Sequence, residues 1–266
     1  MNAIRNVGMV GLGKMGLPMA KHLLAKGFKV VGCDPAARGA PVDTLASPRE
    51  VAKVSDLVII VVGFDHEVEA VANSILEEPR KGLVVALAST VAPRYAKRLA
   101  DRLAESGITL LDAPLARGEA AAIAGKLLIY GGGDENAFAA CRPAFAAFAS
   151  DIFHLGPAGA GQVGKMVNNL ILWACISAND EGLRLGEALG VDPEKLKEAL
   201  SHGSAQNWAM DSMAERSGMP WAEKDMSIVL HEADLARLSL PLSGTVKEVI
   251  KGLKIRMGLG LPPGSD

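Results

Sequence analysis

The segment Gly11-Leu12-Gly13-Lys14-Met15-Gly16 spaces its glycines as GxGxxG. That pattern carries chemistry when it follows a strand and opens a helix. There the first glycine allows a tight turn, the second lets backbone approach a pyrophosphate, and the third lets strand and helix pack closely. The exposed amides and positive end of the helix then face the phosphates. Asp34 lies eighteen residues beyond Gly16, at the end of the apolar run from Lys29. A carboxylate there accepts hydrogen bonds from ribose hydroxyls and repels the additional phosphate of NADP. Asp34 also precedes Pro35, where a turn aspartate is common. Arg38 is a nearby phosphate-binding cation, so the pattern points to NAD and leaves NADP open.

Lys165 and Asn169 are four residues apart in a helix-like stretch and therefore share one face. Both are set among Val163, Met166, Val167 and Leu170. A lysine beside apolar surface can protonate an alkoxide as hydride arrives and deprotonate a hydroxyl in reverse. An adjacent amide can orient the reacting oxygen. Spacing alone admits a second reading, a snorkelling lysine beside a helix-terminal asparagine.

Both groups need a scaffold. Strand-sized apolar runs at Val7–Val10, Lys29–Cys33, Leu57–Val62, Leu83–Leu87, Thr109–Ala113 and Leu127–Tyr130 alternate with helix-like stretches. Those stretches are Gly16–Lys26, Ser47–Lys53, Glu67–Ile75, Pro93–Ser106 and Glu135–Phe148. The alternation predicts an α/β chain with a Rossmann-type doubly wound parallel sheet. After Leu155–Gly159 the strand signals fade, and helices are expected over Gly161–Leu189, Asp192–Ser201, Met226–Leu238 and Ser243–Ile255. The expected organisation is a dinucleotide-binding domain over 1–157 and an all-α domain for substrate and oligomerisation over 158–266.

The 266 residues are 49% hydrophobic and 22% charged, which excludes a disordered chain. A formal charge of −2 offers no basic field for nucleic acid or an anionic membrane surface, so a small-molecule partner is expected. Cys33, Cys141 and Cys175 are scattered and odd in number, without zinc-site spacing. They suit a reducing cytoplasm, as does an N-terminus broken by glycines where a secretory leader needs an unbroken apolar run. The longest apolar run, Leu57–Val62, is strand-sized.

Four segments occur in order: Gly11–Gly16 extended to Met19-Ala20, Asp112-Ala113-Pro114, Gly159–Asn169, and Lys224-Asp225-Met226. Together they resemble the β-hydroxyacid dehydrogenase family, of the 3-hydroxyisobutyrate dehydrogenase type, over nearly the whole chain. The resemblance implies a general acid/base at Lys165 and a substrate-holding amide at Asn169. It implies that Thr90 lies near the nicotinamide and that backbone at Val62 and Gly63 lines the cofactor site. It also implies that Lys224 closes over nicotinamide and substrate. Thr90 by itself equally suits a helix cap, and Lys224 a solvated charge.

Two departures stand out. Relatives often carry Ser-Gly-Gly where this chain has Ala116-Arg117-Gly118, in the loop that grips the substrate's anionic end. An arginine there is similar to the sulfolactaldehyde reductase branch. Its planar fork suits a carboxylate or sulfonate, although it could instead pair with Glu119 or another acid. The stretch between Trp208 and Lys224 is also shorter than in relatives, which makes the role of Lys224 less direct. Asn207 or Trp208 is placed to face the cleft, and His202 reads as a loop bystander. The function implied is NAD(P)-dependent interconversion of a small anionic β-hydroxy acid and its semialdehyde. Imine reduction, decarboxylating sugar-acid dehydrogenation and non-catalytic dinucleotide sensing are the alternatives; Lys165 counts against the first, the small helical part against the second, and Lys165 with Asn169 against the third. The apolar character of 161–189 on several sides suggests a homo-oligomer.

Overall fold

The computed structural model describes residues 3–36, 42–211 and 219–260. The chain divides into two compact units, Met1–Lys165 and Met166–Asp266. The division falls inside a long helix, eight residues beyond the boundary expected from sequence.

In the first unit, β1 (Asn6–Val10), α1 (Gly16–Ala25), β2 (Lys29–Cys33), β3 (Asp43–Thr44), α2 (Pro48–Val54) and β4 (Leu57–Ile60) come first. They are followed by α3 (Asp65–Leu76), β5 (Val84–Leu87), α4 (Pro93–Ala104) and β6 (Thr109–Asp112). These strands form one parallel sheet in the order β3-β2-β1-β4-β5-β6, the dinucleotide-binding order with its switch point beside β1. The central strands are apolar throughout because helices cover both faces. Alternate residues feed different cores: Leu57 and Ile59 join Met19 and Leu23 of α1, whereas Val58 and Ile60 join Val51 of α2, Val68 of α3 and Leu99 of α4. Local signals set the boundaries. Ser47 caps α2 by accepting from the Glu50 amide at 3.3 Å, ahead of Pro48.

Beyond β6 the all-parallel expectation needs amendment. β7 (Leu115–Ala116), α5 (Gly118–Ala124), β8 (Leu127–Gly131), α6 (Glu135–Phe145) and β9 (Ala149–His154) build a separate three-stranded sheet. In it β7 runs antiparallel to β8, and β9 runs parallel. The stretch Ala149–His154 carries only intermittent apolar residues, because just one of its faces is covered.

α7 (Ala160–Ala188) then begins, and its later turns belong to the second unit with α8 (Pro193–Ser201), α9 (Trp208–Asp211), α10 (Ala222–Leu235) and α11 (Pro241–Arg256). Trp173, Ile176, Met226, Val229, Val246 and Ile250 form that unit's core. Among the described residues no helix is long and apolar enough to cross a membrane.

Asp112 joins the pieces of the first unit. Its backbone exchanges hydrogen bonds with Gly132 at 3.1 and 2.9 Å, tying the two sheets together. Its fully buried carboxylate accepts from the amides of Gly159 at 2.8 Å and Gln162 at 3.1 Å, and also from Gly161. A Cβ on Gly132 or Gly161 would lie 2.5 or 2.8 Å from an Asp112 oxygen, so both positions must stay bare. Burial raises the Asp112 pKa, and the amides oppose that rise. With its folded value above its unfolded one, the ionised carboxylate costs stability at neutral pH, and this cost fades as pH falls through the folded value. Deleting the carboxylate orphans the amides, each worth about 1–3 kcal/mol when buried without a partner. Asp112→Ala is therefore expected to lose about 2–4 kcal/mol in urea unfolding; a loss below about 1 kcal/mol would show that the amides find other partners.

Candidate active site

The glycine loop lies between β1 and α1, as its motif requires. Gly11 takes φ +93°, and a Cβ there would sit 2.1 Å from the Val61 carbonyl oxygen. A Cβ on Gly16 would sit 2.0 Å from the Gly11 carbonyl oxygen. Nothing lies within 4 Å of a Cβ built on Gly13. Packing within the protein thus demands the outer glycines, while the middle one faces open space where a phosphate can approach. α1 has no acidic residue in its first turn and no side-chain cap, which leaves its positive end without a carboxylate of its own. The loop and the acid fit a dinucleotide together. Asp34 accepts from the Leu12 amide at 2.7 Å and from the Ala36 amide at 2.8 Å, so the turn role and the loop role coincide. Leu12 is buried and Met15 packs on the core, whereas Lys14 reaches out to Glu119 at 3.4 Å. Arg38 lies outside the described residues.

The ends of β4 and β5 form a second wall. The Val62 amide donates to Ser89 Oγ at 2.8 Å, and the amides of Gly63 and Phe64 donate to Glu67 Oε2 at 2.9 Å each. Half-buried Thr90 follows Ser89. The residue at the N-cap position of α4 is Ala92, two residues beyond Thr90. Gln162, fully buried in the first turn of α7, donates from Nε2 to the Ser89 carbonyl at 2.9 Å. Its Oε1 accepts from the Val91 amide at 3.1 Å. Neither Asp112 nor Gln162 stood out as a functional residue in the sequence; the available signal was a polar residue at the end of an otherwise apolar strand, and another between glycines.

Lys165 is half-buried on α7, one turn before Asn169. Asn169 sits in mid-helix and is buried, which rules out a helix-terminal role. Its Nδ2 donates to Asp225 Oδ2 at 2.8 Å, and its Oδ1 accepts from Asn168 Nδ2 at 2.9 Å. Trp173 Nε1 donates to the same Asp225 oxygen at 3.1 Å. Asp225 thus fixes the orientation of the Asn169 amide, a role the sequence showed only as part of a motif. The neighbouring Lys224 places Nζ 5.9 Å from the centroid of the Trp221 ring, within cation–π range. Asn207 exchanges amide hydrogen bonds with Asn179 at 3.1 Å each way and accepts from the Met210 amide at 3.0 Å, which are structural duties. Trp208 and His202 are exposed. Residues 212–218 of that stretch lie outside the described residues.

The Arg117 side chain is paired. Its Nη1 donates to Asp151 Oδ2 at 2.6 Å, Ser150 Oγ at 2.9 Å and the Lys126 carbonyl at 3.1 Å. The pairing reading therefore describes the observed side chain, with Asp151 as the acid in place of Glu119. The reason is local: Arg117 takes φ +83° and Gly118 φ +75°, and buried Ala116 pairs with Leu128 of β8, whose neighbour β9 carries Asp151. The backbone is that of consecutive glycines with an arginine on the first. Among the described residues, no group of His, Cys, Asp or Glu could hold a metal ion. A non-glycine residue in the left-handed region costs about 1–2 kcal/mol. Arg117→Ala should consequently be less stable than Arg117→Gly by about 1 kcal/mol in thermal unfolding, since both lose the ion pair and only one keeps the strain. Equal melting temperatures would contradict this account.

Known proteins match this arrangement along most of the chain. Residues 6–156 match the NAD binding domain of 6-phosphogluconate dehydrogenase, and residues 159–260 the NAD-binding domain of NADP-dependent 3-hydroxyisobutyrate dehydrogenase. The L-threonate dehydrogenase of Cupriavidus necator is 33% identical over 92% of this chain and 89% of its own. The NAD-dependent L-serine dehydrogenase of Pseudomonas aeruginosa is 35% identical over 78% and 73%. The structure of Mycobacterium tuberculosis 3-hydroxyisobutyrate dehydrogenase with L-serine superposes with a TM-score of 0.87 at 26% identity, covering 95% of this chain and 94% of that one. This chain belongs to the β-hydroxyacid dehydrogenase family, and it is an NAD(P)-dependent oxidoreductase acting on CH–OH groups.

Proposed function

We propose that the protein interconverts a small β-hydroxy carboxylate and its semialdehyde, with Lys165 as general acid/base and NAD as the preferred cofactor. The observation that carries the reading is Lys165 one turn ahead of an Asn169 amide held rigid by Asp225. The carboxylate is favoured over a sulfonate on two grounds. The feature that suggested a sulfonate was an arginine at position 117, similar to the sulfolactaldehyde reductase branch, and its Nη1 is engaged by Asp151. Relatives are also named for L-threonate, L-serine, 3-hydroxyisobutyrate and 2-(hydroxymethyl)glutarate, all hydroxyl-bearing carboxylates.

Gly11 to Gly16 and Asp34 would hold the dinucleotide's phosphates and ribose, and Val62, Gly63 and Thr90 would line its nicotinamide end. When bound, the dinucleotide supplies the hydride acceptor or donor. Lys165 Nζ takes the hydroxyl proton as the alcohol is oxidised and returns it to the carbonyl oxygen in reduction. Asn169 orients that oxygen, and the backbone of Ala116–Gly118 lies beside the substrate's anionic end. Lys224 serves the same chemistry, its ammonium steadied by Trp221. Asp34 disfavours NADP because its carboxylate would face the extra phosphate. A homo-oligomer is part of the reading: Val163, Val167 and Ile171 of α7, with Leu185 and Leu189 at and beyond its end, are exposed in this chain, and large exposed apolar patches mark association surfaces.

Lys165→Ala is expected to lower kcat by about 100-fold or more, while NADH still raises the melting temperature as in the wild type. Turnover would be followed by NADH formation with hydroxy carboxylates and the corresponding hydroxy sulfonates. A variant within tenfold of wild-type kcat would overturn the role of Lys165, and a preference for sulfonates would overturn the substrate class.

A further inference from the structure

Gln162 is wholly buried, and its primary amide bonds to backbone on both sides of one residue. It donates to the carbonyl of Ser89 at 2.9 Å and accepts from the amide of Val91 at 3.1 Å. The residue it brackets is Thr90. The Gln162 backbone amide is itself anchored to Asp112 at 3.1 Å, and Ser89 Oγ holds the Val62 amide at 2.8 Å. This side chain therefore links the loop Ser89–Val91, which the Ser89 hydroxyl ties to Val62, to the start of the helix whose next turn carries Lys165. Apolar filler of the same size would pack as well but would leave a buried donor and a buried acceptor unsatisfied. Three residues on, Lys165 lies on the adjacent part of the same helix surface.

We propose that Gln162 is a positioning residue that fixes Thr90 relative to Lys165, so that hydride and proton leave the same carbon–oxygen unit of the substrate in register. This rests on the roles given above to Lys165 and Thr90. The glycine loop and Asp34 hold the dinucleotide's phosphate and adenosine parts independently of Gln162. Its loss should therefore reduce kcat and leave NAD affinity nearly unchanged, because misalignment of about 1 Å near the reacting atoms is enough to slow the chemical step markedly.

Gln162→Met and Gln162→Glu test this on the full-length enzyme. Methionine removes both hydrogen bonds at similar volume. Glutamate, when ionised, still accepts from the Val91 amide but sets a negative oxygen against the Ser89 carbonyl. When protonated, its O–H donates to that carbonyl and both bonds return. Burial raises a carboxyl pKa, which brings this switch into a pH range where the enzyme can be assayed. The expected results are a kcat reduced about tenfold or more in Gln162→Met at every pH, and a Gln162→Glu kcat that recovers toward wild type as pH falls. NAD dissociation constants, from quenching of protein fluorescence, should stay within about threefold of wild type. Amide hydrogen exchange at residues 88–92 should accelerate in Gln162→Met with or without cofactor. A wild-type kcat and unchanged exchange in Gln162→Met would overturn the proposal, as would a Gln162→Glu pH profile parallel to wild type. Should Gln162→Met fail to fold, the Gln162→Glu profile decides alone. Lys165→Ala separates the two readings: an active Lys165→Ala enzyme defeats the lysine assignment, whereas an inactive one beside a fully active Gln162→Met defeats only the present proposal.

Discussion

A carboxylate buried without a cationic partner is an expensive group, and Asp112, at the junction of the first unit, has no such partner among the described residues. Its oxygens accept from backbone amides of the first residues of α7 and the turn before it. This inverts the usual helix-capping arrangement, in which a local side chain serves its own helix; here the capping group comes from the end of a strand far away in sequence. The gain is geometric. A helix starting from an exposed turn frays through its first residues, but one whose amides end on a sheet carboxylate has a fixed starting point. Lys165 inherits that fixed origin because it lies within the second turn. The same aspartate also pins the second sheet through Gly132, so the loop carrying Ala116 and Arg117 is referred to the same point.

The parts legible in the sequence were those governed by local rules. The glycine loop, Asp34 and the helical spacing of Lys165 and Asn169 each depend on residues within one strand–turn–helix or one helix turn. The doubly wound parallel sheet was implied by alternation, since right-handed crossovers leave few topologies. What could not be read were pairings between distant segments. β7 is two residues long and β9 alternates too weakly to announce itself; both exist because β8 supplies a partner on each side. The same limit applies to Arg117. Its charge and family position were visible, but Asp151 approaches through the β8–β9 pairing, so the side chain's destination lay in tertiary structure. Gln162 is the clearest case: nothing within a turn of it calls for an amide, and its partners Ser89 and Val91 are more than seventy residues away.

In the second unit the corresponding point is the first turn of α10, where successive residues are anchored in different directions. Glu223 pairs at 2.6 Å with Lys254 of α11, a lysine only 2% exposed. Lys224 lies against Trp221, and Asp225 receives Asn169 and Trp173 from α7. Lys254 is buried and Glu223 partly so, and removing Glu223 would leave a buried charge without this partner, at a cost in stability. The pair ties α10 to α11 beside the residues that tie α10 to α7. The polar groups nearest Lys224 and Asn169 are therefore held by interactions that tolerate little slippage.

Arg117 shows what happens when such a framework takes a residue its backbone does not favour. The loop holds two successive left-handed positions, a conformation cheap for glycine and strained for arginine. The framework does not relax to remove the strain, because Ala116 is locked to β8 and α5 begins at once. The side chain instead finds compensation outside the loop, in Asp151, Ser150 and the Lys126 carbonyl. A mostly exposed ion pair is worth little alone, yet three acceptors converging on one nitrogen fix the arginine's direction. The loop thus keeps its glycine-type backbone while its side chain is drawn onto β9.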